Sequence, residues 1–277
     1  MSNNPPISGA GWEARLALTF TQQQHKTVLS QREQRGPLAL QRPFYPEGGV
    51  CHGYILHPPG GVVGGDQLTI AVQVQPEAHA LLTTPGATKF YRSAGLHAHQ
   101  QQLFDINSGT LEWLPQESIY FPHTLSTIST DIHLQGNARF IGLEVHCLGR
   151  PASHERFDAG QVTISLRLHR DGKFLVMDKQ RIHQLADLES SAGLRSNPVF
   201  ATLIATPCNT ETLEAVQNLC LNLADGLAGA TLMREVLIVR YLGQHTATAH
   251  QLGRSIWALI RPQIIGKTAT PPRIWST

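Results

Sequence analysis

A glycine-rich stretch at residues 57–68, HPPGGVVGGDQL, first suggests a phosphate-binding loop. Gly60 and Gly65 have the spacing of the two glycines in the P-loop motif. That motif also needs a lysine after the second glycine, then serine or threonine for Mg²⁺, then a helix. Asp66 and Gln67 hold those positions here, and the following residues alternate as a strand does. The sequence therefore predicts a tight glycine crossing that carries a carboxylate, and it argues against nucleotide binding.

Two sets of histidine, cysteine and carboxylate side chains could bind a metal ion. His97 and His99 form an H-x-H pair, which on a strand points both imidazoles to one face. A metal-dependent β-barrel enzyme built on this pair is one hypothesis, although the glycine and glutamate of the cupin version are absent. Cys51, His57 and Asp66 form a looser set suited to transient Ni²⁺ or Zn²⁺. The alternative for this set is a buried thiol with hydrogen-bonded histidines.

Conventional catalysis has no support in the sequence. There is no G-x-S-x-G elbow, no local Ser-His-Asp or Cys-His set, and the four cysteines form no C-x-x-C pair. Charged residues make up 15% of the chain and the formal net charge is +2, which excludes a strongly basic nucleic-acid surface. We therefore expect a protein that is not an enzyme and that does not bind nucleic acid.

The N-terminal residues MSNNPPISGAGWEARL lack the charged and apolar regions of a secretory signal. No uninterrupted apolar run reaches the length of a membrane span. The sequence thus predicts a cytoplasmic protein with no membrane partner.

Period-two alternation dominates the first two-thirds of the chain and predicts half-buried strands. It is clearest in ARLALTF at 14–20, LTIAVQVQ at 68–75 and VTISLRLH at 162–169. Turn-forming residues between such segments favour an all-β sandwich, barrel or stack. No proline- or serine-rich linker divides the chain, so residues 1–277 are expected to form a single domain.

Two segments near the C-terminus have helical periodicity. The first follows Asn209 and Thr210, which can cap it, and is expected to end at Gly226. The second is TATAHQLGRSIWALIR, which is expected to stop near Arg261 because Pro262 follows. Between them, residues 233–243 have the composition of a buried strand.

Seven strings of residues, in a fixed order along the whole chain, carry a family resemblance. They are GPLALQRPFYPEGG at 36–49, CHGYILHPPGGVVGGDQL at 51–68, LLTTPGATKFYRS at 81–93, LEWLPQE at 111–117, CLGRP at 147–151, RYLG at 240–243 and the terminal PPRIWST. These strings closely resemble the urease accessory protein UreD family, also called UreH. Their length and number make the resemblance far more specific than a short motif.

The resemblance implies both a fold and a function. Proteins of this family are mainly β, with a β-helix-like stack of short strands and a small helical part near the C-terminus. They dock onto apo-urease and recruit UreF and the GTPase UreG. Nickel released by the GTPase is expected to pass through an internal polar tunnel to urease, so transient Ni²⁺ is implied and no tightly bound cofactor is. A clamp that opens urease without carrying nickel is the structural alternative.

The resemblance and the residue types together give three sets of candidate site residues. The candidates for the wall or mouth of a nickel passage are Asp66, Thr83 and Glu112. Further candidates for metal contact are Cys51, His52 and His57. Because aromatic side chains dominate interface energetics, the candidates for partner binding are Phe44, Tyr45, Lys89, Tyr91, Arg92 and Trp113. Core packing is the alternative for the aromatic members.

Overall fold

The computed structural model describes residues 11–276 as a mainly β protein with three α-helices, the last of them near the C-terminus. The first ten residues, on which part of the signal-peptide prediction depends, lie outside the described residues. The strands are β1 Glu13–Gln23, β2 Lys26–Arg35, β3 Ala39–Leu40, β4 Cys51–Leu56, β5 Gln67–Val74, β6 His79–Thr83, β7 Thr88–Phe90, β8 Ala98–Asn107, β9 Thr110–Trp113, β10 Ser118–Tyr120, β11 Leu125–Gln135, β12 Arg139–Leu148, β13 Gln161–Arg170, β14 Lys173–Ile182, β15 Val199–Thr206, β16 Leu227–Met233 and β17 Val236–Gly243. The helices are α1 Leu185–Glu189, α2 Thr210–Leu221 and α3 Thr246–Ile265. The prediction of a mainly β chain with a helical part near its C-terminus is confirmed.

The strands form two sheets that share one hydrophobic core. The first sheet has the order β14-β13-β11-β8-β5-β1-β2, with five parallel central strands and an antiparallel strand at each edge. The second has the order β16-β17-β15-β12-β9-β6-β4-β3, and β10 joins it by pairing with β12 and β7. From β5 to β13 the chain passes repeatedly from one sheet to the other, so that successive strands stack in parallel in both sheets.

The strands of the first sheet follow the alternation of the sequence. In β1, for example, Leu16, Leu18 and Phe20 are fully buried, whereas the residues between them are partly exposed. One face of this sheet packs on the core and the other meets solvent, which is the situation that a period of two describes. The strands predicted from residues 14–20, 68–75 and 162–169 are confirmed as β1, β5 and β13.

The central strands of the second sheet are covered on both faces, because α2 and α3 pack on the side away from the first sheet. Ile141 and Val145 of β12 lie in the cluster that contains Trp257 of α3. Residues two apart on a strand share a face, so Glu144 and His146 point the other way, towards the first sheet. Two ionisable side chains of β12 therefore lie between the sheets.

The helix predictions are right in place and wrong in length. Asn209 caps α2 by accepting a hydrogen bond from the Thr212 N–H at 2.9 Å, but α2 ends at Leu221 and not at Gly226. The stop predicted near Arg261 is wrong, since α3 continues through Pro262 to Ile265. Burial against the second sheet continues over this last turn, and Gly266, at φ 75°, closes it with an N–H bond to the Pro262 carbonyl.

None of the helices among residues 11–276 is long and apolar enough to cross a membrane.

Candidate functional site

A cavity of about 470 Å³ lies between the two sheets. Its walls come from β5, β8 and β11 of the first sheet and from β9 and β12 of the second. We call it the inter-sheet cavity, and its polar and aromatic wall residues are Gln100, Gln102, Trp113, Glu144 and His146. At one end it is bordered by His57, Gly60 and residues 84–89, several of which are exposed. The cavity thus leads from the protein interior towards the surface beside the glycine loop.

The wall of the inter-sheet cavity carries polar atoms with spare hydrogen-bonding capacity. Gln100 and Gln102 are buried because the even-numbered residues of β8 face inward. The Oε1 atom of Gln102 and the Nε1 atom of Trp113 are both buried and have no hydrogen-bond partner among residues 11–276. A buried polar atom without a partner costs about 1–3 kcal/mol. The Gln102 oxygen can therefore accept a hydrogen bond from a water molecule, and the Trp113 N–H can donate one to it.

Glu144 supplies the carboxyl group of the cavity wall. Its Oε1 accepts a hydrogen bond from the Thr130 hydroxyl at 2.8 Å, which links the two sheets across the core. Burial raises the pKa of Glu144, and it outweighs the opposite effects of Thr130 and of the nearby Trp113 indole. That indole affects the carboxyl without reaching hydrogen-bond geometry. A cation in the cavity would favour the ionised form of this carboxyl.

His146 is the neighbouring ionisable group, and it is neutral. Burial lowers the pKa of His146 to about 3, so that the imidazole carries no charge near pH 7. Its Nδ1 lies 3.0 Å from the Tyr120 hydroxyl, and its Nε2 lies 3.9 Å from Oε2 of Glu144. The two side chains are thus close without forming an ion pair, and an uncharged imidazole nitrogen is a ligand for nickel or zinc.

A second, smaller pocket of about 20 Å³ adjoins the far side of Glu144 and His146. It is also lined by Asp178 and Gln180 of the edge strand β14. Asp178 accepts hydrogen bonds from Thr202 at 3.1 Å and from Arg240 at 2.9 Å. Glu144 and His146 therefore stand between the inter-sheet cavity and the β14 edge of the first sheet.

Glu112 lies on the opposite face of the second sheet, in what we call the α3 ion-pair network. Its carboxylate accepts hydrogen bonds from His79 Nε2 at 2.7 Å and from Trp257 Nε1 at 2.6 Å. It also accepts bonds of 2.9–3.1 Å from Arg261, which is fully buried. Burial raises the pKa of Glu112, but His79 and Arg261 outweigh that effect and lower it to about 2. The members of the network are Glu47, His52, His79, Glu112, Trp257 and Arg261.

The same network holds His52. Glu47 accepts hydrogen bonds from Arg261 at 2.7 and 2.8 Å, and its Oε1 lies 2.6 Å from Nε2 of His52. Arg261 also donates a hydrogen bond to the carbonyl of Thr268. All the nitrogens of this guanidinium are thus engaged in joining α3 and the segment after it to the second sheet.

Asp66 closes the glycine loop. Its Oδ1 accepts a hydrogen bond from the Trp12 N–H at 2.8 Å, and its Oδ2 accepts one from the Val63 N–H at 2.9 Å. Gly65 has a φ of 96°, and a Cβ atom on Gly61 would lie 2.2 Å from the Tyr91 ring. The glycines therefore permit a tight crossing that a larger residue would block, and the carboxylate caps that crossing.

The other candidates for metal contact or passage are dispersed. Thr83 is buried beside the C-terminal segment, where it donates to the Leu114 carbonyl and accepts a bond from Trp275 Nε1 at 3.2 Å. Cys51 faces the core shared by the two sheets, and burial raises the pKa of its thiol to about 11. His57 borders the inter-sheet cavity, and burial lowers its pKa although the nearby Asp66 opposes the shift. Of these residues, His57 alone contributes to the cavity.

The candidates for partner binding fall into two environments. Lys89, Tyr91 and Arg92 are exposed beside the rim of the cavity, whereas Phe44 and Tyr45 are half-buried near the start of β4. The Phe44 ring contacts that of Tyr54 edge to face at 4.7 Å, and Lys26 lies 5.2 Å from the centre of the Tyr45 ring. Trp113 is 2% exposed and belongs to the cavity wall.

The H-x-H pair lies on the outside of the first sheet. The ring centres of His97 and His99 are 6.3 Å apart, and both side chains are exposed. Within residues 11–276, no group of three or more His, Cys, Asp and Glu side chains is arranged to hold a metal ion.

Sequence reasoning missed Glu144 and His146, and a signal for them was present. The string FIGLEVHCL places a glutamate and a histidine two residues apart in an otherwise apolar strand. Such residues share one face, and a buried ionisable pair on one face marks a candidate site. Cys147, the neighbour of His146, points to the opposite face and belongs to the cluster packed against the helices.

Known proteins resemble this chain over nearly its full length. Residues 13–276 match the family model described as UreD urease accessory protein. The urease accessory protein UreD of Alcanivorax borkumensis is 43% identical over 274 residues, covering 96% of this chain and 93% of the relative. The proteins of that name from Aliivibrio fischeri and Pseudomonas putida are 41% and 42% identical, covering 98% and 97% of this chain and 98% and 95% of theirs. The similarity extends over both sheets and all three helices.

Proposed function

This chain belongs to the UreD family of urease accessory proteins, and from that membership we propose that it is a non-enzymatic scaffold for urease maturation in the cytoplasm. In this role it binds apo-urease, recruits UreF and the GTPase UreG, and helps to deliver nickel to the urease active site. The family match over residues 13–276 is the observation that carries the proposal. The passage of the chain between two stacks of parallel strands supports a β-helix-like description of the fold.

Nickel delivery runs through the interior of the protein, and the inter-sheet cavity supports this part of the proposal. Its wall offers the oxygen atoms of Glu144 and Gln102 and the neutral imidazole of His146, which suit Ni²⁺. These groups do not form a closed set of ligands. A passage must bind an ion weakly enough to release it, so this open arrangement favours transit over storage.

Glu144 is the group that sets the charge of the passage. Burial raises its pKa, whereas an entering cation favours the ionised carboxylate. Asp178 and the small pocket beyond His146 continue the polar path towards the edge of the first sheet. Nickel transfer is therefore expected to become more efficient as the pH rises and a larger fraction of Glu144 is ionised.

The test is to co-express apo-urease and the other accessory proteins with Glu144→Gln, a change that keeps size and hydrogen bonding but removes the charge. We expect the complex to assemble while the nickel content and activity of urease fall severalfold at limiting Ni²⁺. Glu214→Gln, on the exposed side of α2, is the matched control and should behave as wild type. Full nickel content with Glu144→Gln would contradict a role for this carboxylate in transit.

A variant with a filled cavity distinguishes a protein that conducts nickel from a clamp that opens urease without carrying nickel. Gln102→Trp places a large side chain in the inter-sheet cavity. If the complex still assembles and nickel insertion stops, the conduit is supported. Normal nickel insertion by an assembled complex with a blocked cavity would favour the clamp.

A further inference from the structure

His133 and His169 lie side by side on the outer face of the first sheet. They are in register on the neighbouring parallel strands β11 and β13. Their ring centres are 5.1 Å apart and their planes differ by 9°, so the two imidazoles are stacked. His133 is exposed, and His169 is half-buried against the edge of the Phe174 ring at 5.4 Å. Two nitrogen-bearing rings are thus held together at the surface.

The surroundings of this pair favour a cation. Asp105 of β8 is in register with His133 and is exposed on the same face. Two residues earlier on β11 and β13, Arg167 donates two hydrogen bonds to Asp131, at 2.6 and 3.0 Å. The guanidinium charge of Arg167 is therefore balanced locally, and Asp105 adds negative charge beside the imidazoles.

One ring nitrogen of the pair is free to bind a ligand. The Nδ1 atom of His169 is buried and has no hydrogen-bond partner in the described part of the chain. A buried ring nitrogen without a partner costs free energy that a bound ligand recovers. Packing of the two rings does not by itself satisfy this atom, because stacking uses the faces of the rings and not their nitrogens.

We propose that His133 and His169 form a binding site for a divalent first-row transition-metal ion. Imidazole is a ligand for Ni²⁺, Cu²⁺ and Zn²⁺. Imidazole lone pairs lie in the ring planes, so the two stacked rings must turn about their side-chain torsions before one nitrogen of each can point at an ion about 2 Å away. Among residues 11–276 no third ligand is already in place, and water or the Asp105 carboxylate completes the shell. The site is consequently open and exchangeable.

This site is separate from the inter-sheet cavity. His133 and His169 face solvent, whereas the cavity lies on the other side of the same sheet, behind residues such as Ile128 and Gln102. Metal binding at the histidine pair therefore does not depend on nickel transit through the interior. The two proposals can fail independently.

The test is equilibrium dialysis of the full-length chain against Ni²⁺ alone. We expect His133→Ala/His169→Ala to bind one equivalent less than wild type, and each single replacement to weaken that equivalent by about tenfold or more. The control is His25→Ala/His154→Ala, which removes two exposed histidines elsewhere and should retain wild-type stoichiometry. Equal stoichiometry in the wild type and the His133/His169 variant would overturn the proposal.

Electron paramagnetic resonance with Cu²⁺ provides a second measurement that identifies the ligands. The wild-type spectrum should show two imidazole nitrogens on the ion at this site, and His133→Ala should show one. A wild-type signal from one imidazole, unchanged in His133→Ala, would also overturn the proposal. Circular dichroism of each variant confirms that the chain is folded in these comparisons.

Discussion

The two faces of the second sheet carry two buried polar regions that differ in how their carboxyl groups are paired. In the α3 ion-pair network, two carboxylates meet one guanidinium, two imidazoles and an indole, and Arg261 has a partner for every nitrogen. In the inter-sheet cavity, Gln102 and Trp113 have atoms without partners, and Glu144 has one short hydrogen bond. The first arrangement holds the fold together, whereas the second leaves capacity for a guest.

The pKa values of the two buried glutamates express this difference. Burial acts to raise both values. In Glu112 the hydrogen bonds and charges of His79 and Arg261 reverse the effect, and the pKa falls to about 2. In Glu144 the effects of Thr130 and Trp113 do not outweigh burial, the charge of Asp178 acts in the same direction as burial, and the pKa stays raised. A buried carboxyl that lacks a cation of its own is a better partner for a passing one than a carboxylate already bound to arginine.

The largest effect is expected from Arg261→Met, which removes the only guanidinium of the network and leaves Glu47 and Glu112 buried without it. Breaking a buried ion pair on one side typically costs about 3–5 kcal/mol. The free energy of unfolding from denaturant titration should fall by this amount. Arg35→Met is the control, because the exposed Arg35–Glu13 pair contributes less than about 1 kcal/mol. Equal losses in the two variants would remove the distinction between the regions.

The second-largest effect is expected on the stability of the protein at acid pH. The pKa of Glu112 is lowered from 4.5 to about 2 on folding, so the unfolded chain takes up this proton first as the pH falls. The stabilisation is present above pH 4.5 and is lost between about pH 4.5 and 2, with a size on the order of 3 kcal/mol. Unfolding measurements at pH 6 and pH 3 should show it in wild type.

The variant Glu112→Gln tests whether Glu112 causes this loss of stability. The variant should be less stable than wild type at pH 6 and should lose less of its stability between pH 6 and pH 3. A parallel pH dependence in the two proteins would mean that Glu112 is not the group responsible.

The smallest effect on stability is expected from Glu144→Gln. Since burial raises the pKa of Glu144, ionisation of this group weakens the fold as the pH rises through the folded-state pKa. Glutamine removes that cost and can still accept the Thr130 hydroxyl bond, so the unfolding free energy at pH 7 should change by less than about 1 kcal/mol. A loss as large as that of Arg261→Met would place Glu144 among the structural residues.

The strands of the first sheet were predictable because one face of that sheet meets solvent, so that apolar and polar residues alternate along each strand. In β1, β5 and β13, alternation of apolar and polar residues follows directly from one-sided burial. The ends of the helices were not predictable by such rules. The sequence around Pro262 indicates a stop, but burial of the last turn of α3 on the second sheet carries the helix past it.

The candidate site likewise has features that the sequence predicted and features that it did not. The sequence located the glycine loop correctly as a tight crossing with a carboxylate, because glycine and aspartate have local backbone roles. It could not show which of Glu112 and Glu144 has a cationic partner, since both are single glutamates in apolar strands. Their difference depends on Arg261, which lies 149 residues from Glu112 along the chain and next to it in space.

By itself, the sequence determined the mainly β class, the positions of the principal strands and the family. These depend on residue order and on local alternation, which are present in the chain before it folds. Only the tertiary structure decided which buried glutamate is neutralised by a partner and which one faces an open cavity. Long-range pairing sets the desolvation and hydrogen bonding of each group, and no local pattern encodes them.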